Sequence, residues 1–271
     1  MASNEAVTRA GIRGSIDSRF RYECLTPVAL QQTIARCPLV IQPVGLLEWH
    51  GNHNAVGLDG LASQRVCERV IERIGDGVIM PTCWIGTYGY IHYPGTVCYD
   101  GETAYRVYKN MFREFIKLGF RLILVISGHG GKWQMRALDR AKKDALKEMK
   151  PTIKAPVELL GIVYPQLTPG INVFHAGAVE TSTLWRIGEE YGVDLVDESA
   201  LPAGKQSITK FKLPDDATID FPASEEPETW NWPPDVQDPR ACNPQAGEKL
   251  LETFSNAVYE EISAYREDLG F

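Results

Sequence analysis

The 271-residue sequence has no Cys-x-x-Cys pair, no long basic run and no apolar run long enough to cross a membrane. Its six cysteines are scattered, so we expect reduced thiols in a cytoplasmic protein and not a disulfide framework or a thiolate metal site. The net charge of −7 disfavours nucleic-acid binding, because phosphate contacts require a basic surface. The N-terminus lacks a basic segment followed by an apolar one, so no secretory signal is predicted.

Strand-like and helix-like segments alternate along the chain. Short runs rich in valine, leucine and isoleucine predict buried parallel strands at 39–47, 78–85, 121–126 and 156–164. Amphipathic segments, several of them ended by glycine, predict helices at 58–74, 102–118, 133–149, 178–191 and 245–267. This rhythm indicates an α/β fold of three layers (αβα) around a mostly parallel central sheet. We predict a single domain over 1–271, with an N-terminal extension at 1–37.

Residues 201–240 break this rhythm. The segment is rich in proline and acidic residues, and it contains the aromatic cluster Trp230-Asn231-Trp232-Pro233-Pro234. A structureless stretch of this length inside a compact domain is usually functional or a contact between subunits. We therefore expect an active-site or oligomer contact here. The alternative is a surface excursion pinned by its two tryptophans.

Imidazole and carboxylate side chains follow three of the predicted strands. Glu48 and His50 come after the first strand, His129 follows the strand that ends at Ile126, and His175 follows 156–164 after a short loop. Because the carboxyl ends of parallel strands meet at one edge of the sheet, these side chains should converge. Asp59, at the start of the next helix, can join them. Histidine and carboxylate without cysteine are the ligands of a hydrolytic zinc, manganese or iron site.

The alternative is a purely structural role, in which each histidine is a hydrogen-bonded loop residue. For His92, in a loop rich in tyrosine and glycine, the structural and the functional interpretation both stay open. For the converging set the structural interpretation is weak, because burying unpaired carboxylate and imidazole is costly in a protein that makes no use of them.

The ordered motifs resemble those of the creatininase family of metal-dependent hydrolases. Residues 48–59 keep the spacing of its Glu-x-His-Gly-x-His segment and the aspartate that follows, with Ala55 where proline is usual. Residues 93–96, 127–132 and 175–182 are similar to its aromatic-Pro-Gly-Thr, Asn-Gly-His-Gly-Gly-Asn and His-Ala-Gly-x-x-Glu-Thr-Ser elements. The resemblance covers most of the chain and implies a creatininase-like fold.

The resemblance also implies roles for individual residues. Two divalent ions per chain (Zn, Mn or Fe) would be bridged by Asp59, with Glu48 and His129 completing one site and His50 belonging to the other. Creatininase itself adds a glutamate two residues after the equivalent of His129. Gly131 stands there in this chain, so we predict Glu180 as the substitute ligand. His175 matches the family's catalytic histidine and is the predicted general acid–base. Family members are commonly hexameric, so a homo-oligomer is expected.

The reaction implied by the resemblance is the attack of a metal-bound hydroxide on a carbonyl carbon. Against the family pattern, Gly131 argues against creatinine specificity, while Lys132 and Ala178 make the entrance of the site less negative, which favours a neutral or anionic small-molecule substrate. We predict that the substrate contacts Tyr90, His92, Lys132 and Trp133. The expected reaction opens a small polar cyclic carbonyl compound, either a cyclic amide of the creatininase type or a cyclic polyol ketone of the dehydro-inosose type. The alternatives are a formamide deformylase of a cofactor pathway and a non-catalytic, metal-dependent binding protein.

Overall fold

A computed structural model of the chain describes residues 16–211, 227–233 and 238–271. Four strands form the central sheet: β1 (Leu39–Val44), β2 (Val78–Ile79), β3 (Leu122–Ser127) and β4 (Glu158–Val163). Their order is β2-β1-β3-β4, and every neighbouring pair is parallel. The predicted parallel sheet is therefore confirmed. A small antiparallel pair, β5 (Lys205–Ser207) with β6 (Thr229–Asn231), lies apart from it.

Helices cover both faces of the sheet, as the three-layer prediction requires. They are α1 (Pro27–Arg36), α2 (Leu58–Ile74), α3 (Gly101–Leu118), α4 (Lys132–Met149), α5 (Ala178–Tyr191) and α6 (Pro244–Leu269). One core joins α2, α5 and α6 to Leu122, Leu124 and Ile126 of β3, and the other joins α1, α3 and α4 to Ile123 and Val125. Side chains alternate along a strand, so a strand buried on both faces must be apolar throughout.

Three predicted strands are shorter than expected, of which the last spans only Glu158–Val163. The second ends at Ile79, although the Met80 N–H still donates to the Ile41 carbonyl; Cys83 then returns to the sheet edge as an isolated bridge to Val44. The first strand ends at Val44, where the chain passes against the start of α2. A Cβ on Gly45 would lie 2.2 Å from the Gly60 nitrogen, so only glycine fits this crossing.

The predicted N-terminal extension contains a helix, α1, that was not predicted from the sequence. Thr26 caps α1 through its side chain, and Pro27 occupies the first helical position. Leu30 and Ile34 then pack onto the core formed with α3 and α4. Residues 1–15 of that segment, like 212–226 and 234–237 of the predicted 201–240 excursion, lie outside the described residues.

Three helices begin at the edge of the sheet where β1, β3 and β4 end. The N-cap residues of α2, α4 and α5 are Gly57, Gly131 and Gly177, and no side chain caps any of these three helix starts. Their first-turn N–H groups and positive dipole ends therefore remain available to negative charge at this edge. No helix in the described ranges is long and apolar enough to span a bilayer.

Candidate metal centre

Five predicted ligand side chains meet at this edge. The Nε2 atom of His50 lies 3.2 Å from Asp59 Oδ1, 3.8 Å from Glu180 Oε2 and 4.0 Å from Glu48 Oε2. On the other side of Asp59, His129 Nδ1 lies 3.2 Å from Glu48 Oε2 and 3.4 Å from Asp59 Oδ2. Asp59 thus faces one histidine with each of its two oxygens. A carboxylate placed in this way has the geometry of a bridge between two cations.

Backbone carbonyls fix which nitrogen of His50 and of His175 is protonated. His50 Nδ1 lies 3.1 Å from the Glu48 carbonyl oxygen, and His175 Nε2 lies 2.7 Å from that of Trp49. Since a carbonyl oxygen only accepts, each of these nitrogens carries the proton. When the His50 ring is neutral, its lone pair is therefore on Nε2, which faces the carboxylates, and the lone pair of His175 is on Nδ1. Such a hydrogen bond on the far nitrogen is how proteins orient metal-binding histidines.

Close backbone contacts set the position of His129. A Cβ on Gly128 would lie 2.0 Å from the Asp59 carbonyl oxygen, so the loop after β3 touches the start of α2 directly. A Cβ on Gly131 would lie 2.3 Å from His129 Nε2. Any side chain at 131 would therefore displace the His129 ring. A glutamate at 131, which the resemblance to creatininase would lead one to expect, does not fit the ring position seen here.

The site concentrates negative charge in a buried place. Glu48, His50 and Asp59 are each at most 2% exposed. Burial alone would raise the pKa of Asp59, yet His50 and His129 hold that pKa below its ordinary value. Conversely, burial opposes protonation of His50, but Asp59 and the neighbouring carboxylates raise its pKa to about 10. An electrostatic field that holds protons on buried imidazoles also attracts a divalent cation.

The turn 175–177 places Glu180 and His175 beside this cluster. Ala176 has a φ of 55°, and its N–H donates to Glu180 Oε2 at 2.7 Å. The ring of His175 lies 4.2 Å from the ring of His50, measured between centroids. Burial, followed by the effect of His50, lowers the pKa of His175 to about 3. Burial raises the pKa of Glu180 to about 7.

An aromatic wall, formed by Trp49, Tyr90 and Trp230, encloses His175. Their ring centroids lie 5.9, 4.6 and 5.3 Å from that of the imidazole. Trp230 belongs to β6, and its neighbour Trp232 donates from Nε1 to the His175 carbonyl at 3.0 Å. The described part of the 201–240 segment therefore packs against the candidate site.

Most of the chain matches a known protein family. The family model described as creatinine amidohydrolase (creatininase) matches residues 23–262. The chain belongs to the creatininase family. It is 30% identical over 167 residues to the creatinine amidohydrolase of Pseudomonas putida (55% of this chain, 63% of the relative). It is 26% identical over 207 residues to the 3-dehydro-scyllo-inosose hydrolase of Thermotoga maritima (68% of this chain, 62% of the relative).

The alignments thus span less than two thirds of the length of these curated relatives. A solved creatininase described as Zn-Zn type is similar over almost its whole length. Its TM-score is 0.72 at 23% identity, covering 93% of this chain and 99% of that one. This likeness supports the creatininase fold for nearly the whole chain.

The donor set of this creatininase-family chain fits divalent metal. Two groups each bring three possible ligand atoms within 4.8 Å of one another, one of Glu48, His50 and His175 and one of Glu48, Asp59 and His129. His129 Nε2 and Asp59 Oδ2 are buried, and neither makes a hydrogen bond within the part of the chain that the structure describes. Buried polar atoms normally have partners. Oxygen and imidazole donors in this arrangement suit zinc or manganese.

Of the four residues predicted to contact substrate, Tyr90 is the one that lies in the aromatic wall. Trp133 packs instead on Tyr88 at 5.3 Å between centroids, with the guanidinium of Arg136 over its ring. Lys132 is beside Trp133, and the His92 carbonyl accepts from the Phe211 N–H. For all four residues, Tyr90 included, the substrate role stays a prediction.

Trp49 was not assigned to the site from the sequence, whereas Trp230 and Trp232 lie in the 201–240 segment, for which an active-site or oligomer contact was expected. Trp230 and Trp232 are two residues apart, so on an extended segment they share a face.

Proposed function

We propose that this chain is a metal-dependent hydrolase that opens a small, polar, cyclic carbonyl compound. One observation carries the proposal: four buried or half-buried side chains with metal-ligand chemistry (Glu48, His50, His129 and Glu180) converge around Asp59, next to a histidine whose free nitrogen is defined by its hydrogen bond. Glu48, Asp59 and His129 would hold one divalent ion, and His50, Asp59 and Glu180 would hold the second. Such ions lower the pKa of a coordinated water and polarise a substrate carbonyl.

Glu180 is the proposed replacement for the ligand that Gly131 cannot supply. Its Oε2 lies 3.8 Å from His50 Nε2, a separation that leaves room for one ion bound to both. The Ala176 N–H fixes this oxygen from the other side. The chain therefore reaches the second site from the start of α5 and not from the loop after β3.

His175 is the proposed general acid–base. Its Nε2 proton is held by the Trp49 carbonyl, which leaves the Nδ1 lone pair to take up a proton and deliver it to the leaving atom of the opened ring. The lowered pKa keeps the imidazole neutral before reaction, as a proton acceptor must be. The aromatic wall restricts access of bulk water to this nitrogen and offers flat, apolar faces to a ring-shaped substrate.

Two substrate classes are supported by different relatives. The relative from Pseudomonas putida is named for a cyclic amide, creatinine, and the one from Thermotoga maritima for a cyclic polyol ketone. The alignment with the second covers more of this chain. Lys132, next to the glycine that replaces the creatininase glutamate, places positive charge near the site and disfavours a cationic substrate. We therefore place the polyol ketone first and the cyclic amide second.

The test combines metal analysis with two ring-opening assays. The purified protein is analysed for metal and then offered creatinine and 3-dehydro-scyllo-inosose separately. The proposal predicts turnover of at least one cyclic carbonyl compound, loss of that activity with a chelator, and recovery on addition of Zn²⁺ or Mn²⁺. Stoichiometric metal without any ring opening would favour a binding protein. Absence of metal binding would overturn the proposal.

We also propose that the protein is a homo-oligomer, hexameric by its family resemblance. Sedimentation velocity at micromolar concentration tests this directly. A single species near the 30.2 kDa chain mass would contradict it.

A further inference from the structure

His53, the second histidine of the first motif, has no part in the metal centre described above. Its side chain is buried, with 1% exposed. Its Nε2 lies 3.2 Å from the Ala176 carbonyl oxygen, 3.2 Å from Thr181 Oγ1 and 3.2 Å from Asn54 Nδ2. Its Nδ1 is buried and makes no hydrogen bond to any residue in the described ranges.

This asymmetry decides the tautomer of His53. A proton on Nδ1 would be a buried donor without an acceptor, which proteins rarely tolerate. A proton on Nε2 has the Ala176 carbonyl oxygen to donate to. Asn54 Nδ2 then donates to Thr181 Oγ1 at 3.0 Å, and the Thr181 hydroxyl approaches the same carbonyl at 3.4 Å. His53 and Thr181 together thus hold one backbone oxygen.

That oxygen belongs to a residue in an uncommon conformation. Ala176 has a φ of 55°, in the left-handed region that residues with a Cβ rarely adopt and that persists only where surrounding contacts determine it. The two functional groups of the turn depend on it. The Ala176 N–H aims Glu180 Oε2 toward His50, and the preceding residue, His175, is fixed at its ring by Trp49 and at its carbonyl by Trp232.

We propose that His53 is a positioning residue, which holds Ala176 in its left-handed conformation through Nε2 and thereby keeps Glu180 and His175 in place at the second metal position. The proposal rests on the metal roles given to Glu180 and His50 in the proposed function. His53 itself contacts neither metal nor substrate. This positioning role explains why the motif contains a second histidine, three residues after the proposed ligand His50.

The test uses three substitutions that separate the two ring nitrogens. The amide nitrogen of His53→Gln reaches the place of Nε2 and can still donate to Ala176, whereas His53→Asn mimics only Nδ1, and His53→Ala removes both. Zn²⁺ affinity of metal-free protein is measured by calorimetric titration, together with kcat and KM. Loss of a hydrogen bond that orients ligands typically lowers metal affinity or activity about 10–100-fold. We expect this loss at one of two sites for the Asn and Ala variants, and near-normal affinity for Gln.

A control separates positioning from general destabilisation. Tyr191→Phe removes another buried hydrogen bond, to Glu68, at the far end of α5. It should lower thermal stability while leaving both Zn²⁺ affinities unchanged. If His53→Gln loses affinity as severely as His53→Ala, or if all three variants bind Zn²⁺ like the parent, the positioning role is wrong.

A double-mutant cycle tests the route through Ala176. Glycine adopts the left-handed region without a restraint, so in an Ala176→Gly background His53→Asn should cost less Zn²⁺ affinity than in the parent. Equal costs in both backgrounds would show that His53 does not act through Ala176. Failure of the proposed function is distinguishable, because the unaltered protein would then bind no Zn²⁺ at the second site.

Discussion

Helix α2 carries a cluster of charge at its start and another further along, and the two clusters are satisfied differently. At its start, within the described ranges, Asp59 faces the imidazoles of His50 and His129. In its second half, Arg65 and Arg69 face Glu190 at 2.5 and 2.6 Å, and Arg69 also binds Glu248 at 2.9 Å. Arg186 joins the same two carboxylates from α5. We call this second group the arginine network.

The clusters differ in partner as well as in burial, since the arginine network is partly exposed, with the Glu248 side chain 41% exposed. In the arginine network each carboxylate meets guanidinium groups, which are permanently charged and bind carboxylates with matched geometry. Nothing further is required to neutralise them. At the metal centre the partners are histidines, which carry positive charge only while protonated and which become ligands when they lose the proton. In this chain the carboxylates that face imidazoles are those proposed to bind cations, and the carboxylates paired with arginine join α2, α5 and α6.

Asp59→Ala should lower metal content and activity more than any other substitution considered. Because both proposed sites share this carboxylate, we expect loss of both metals and activity reduced to background. Glu190→Gln is the matched change in the arginine network and should keep full metal content while lowering thermal stability. Elemental analysis and thermal melts of both variants make the comparison. Full metal occupancy in Asp59→Ala would contradict the bridging role.

His175→Ala should have the next largest effect. Removal of a general acid–base typically slows turnover by about 10²–10⁴. The variant should fold, keep its metals and bind substrate, because the ring lies beside the proposed ligands and is not counted among them. Steady-state kinetics and elemental analysis on one preparation decide this. Metal loss in proportion to activity would make His175 a ligand instead.

Glu180→Gln should affect one metal only. The amide is a weaker ligand than the carboxylate, so we expect occupancy to fall toward about one metal per chain, with the site of Glu48 and His129 still filled. A crystal structure of the unaltered protein with bound metal provides the independent check. Glu180 lying beyond coordination distance of every ion there would remove it from the site.

Trp230→Ala should act on substrate binding without touching either charge cluster. Aromatic contacts of this kind contribute roughly 0.5–1.5 kcal/mol, which corresponds to a rise in KM of about 2–10-fold. Metal content should be unchanged. Trp230→Phe, which keeps an apolar ring, should recover most of the loss. Equal kinetics for the parent and the alanine variant would show that the aromatic wall does not contact substrate.

The smallest expected effect concerns acid stability of the arginine network. Hydrogen bonds from Arg69, acting against a small effect of burial, lower the pKa of Glu248 from 4.5 to about 2. A lowered carboxyl pKa gives stability that is present above the ordinary pKa and lost as pH falls through the folded value. The stability gap between the parent and Glu248→Gln should thus be constant near neutrality and close between about pH 4.5 and 2. Because this side chain is 41% exposed, solvent screening keeps the gap small.

The sequence predicted the layers of the fold and the residues that meet at the sheet edge, because both depend on local periodicity and on strand ends. The roles of His53 and Trp230 could not be predicted in this way. Each depends on a contact between segments more than 50 residues apart, which no spacing within a motif records.

The contact between position 131 and His129 has a consequence for how such sites diverge. Gly131→Glu, the single change that would supply the glutamate implied by the resemblance to creatininase, places a Cβ 2.3 Å from His129 Nε2. The change would have to be accompanied by a new orientation of the His129 ring. In the proposed two-metal site, a single substitution therefore does not convert completion by Glu180 into completion by a glutamate at 131. A chimera of this chain with a creatininase should therefore exchange the loop after β3 together with the turn 175–177.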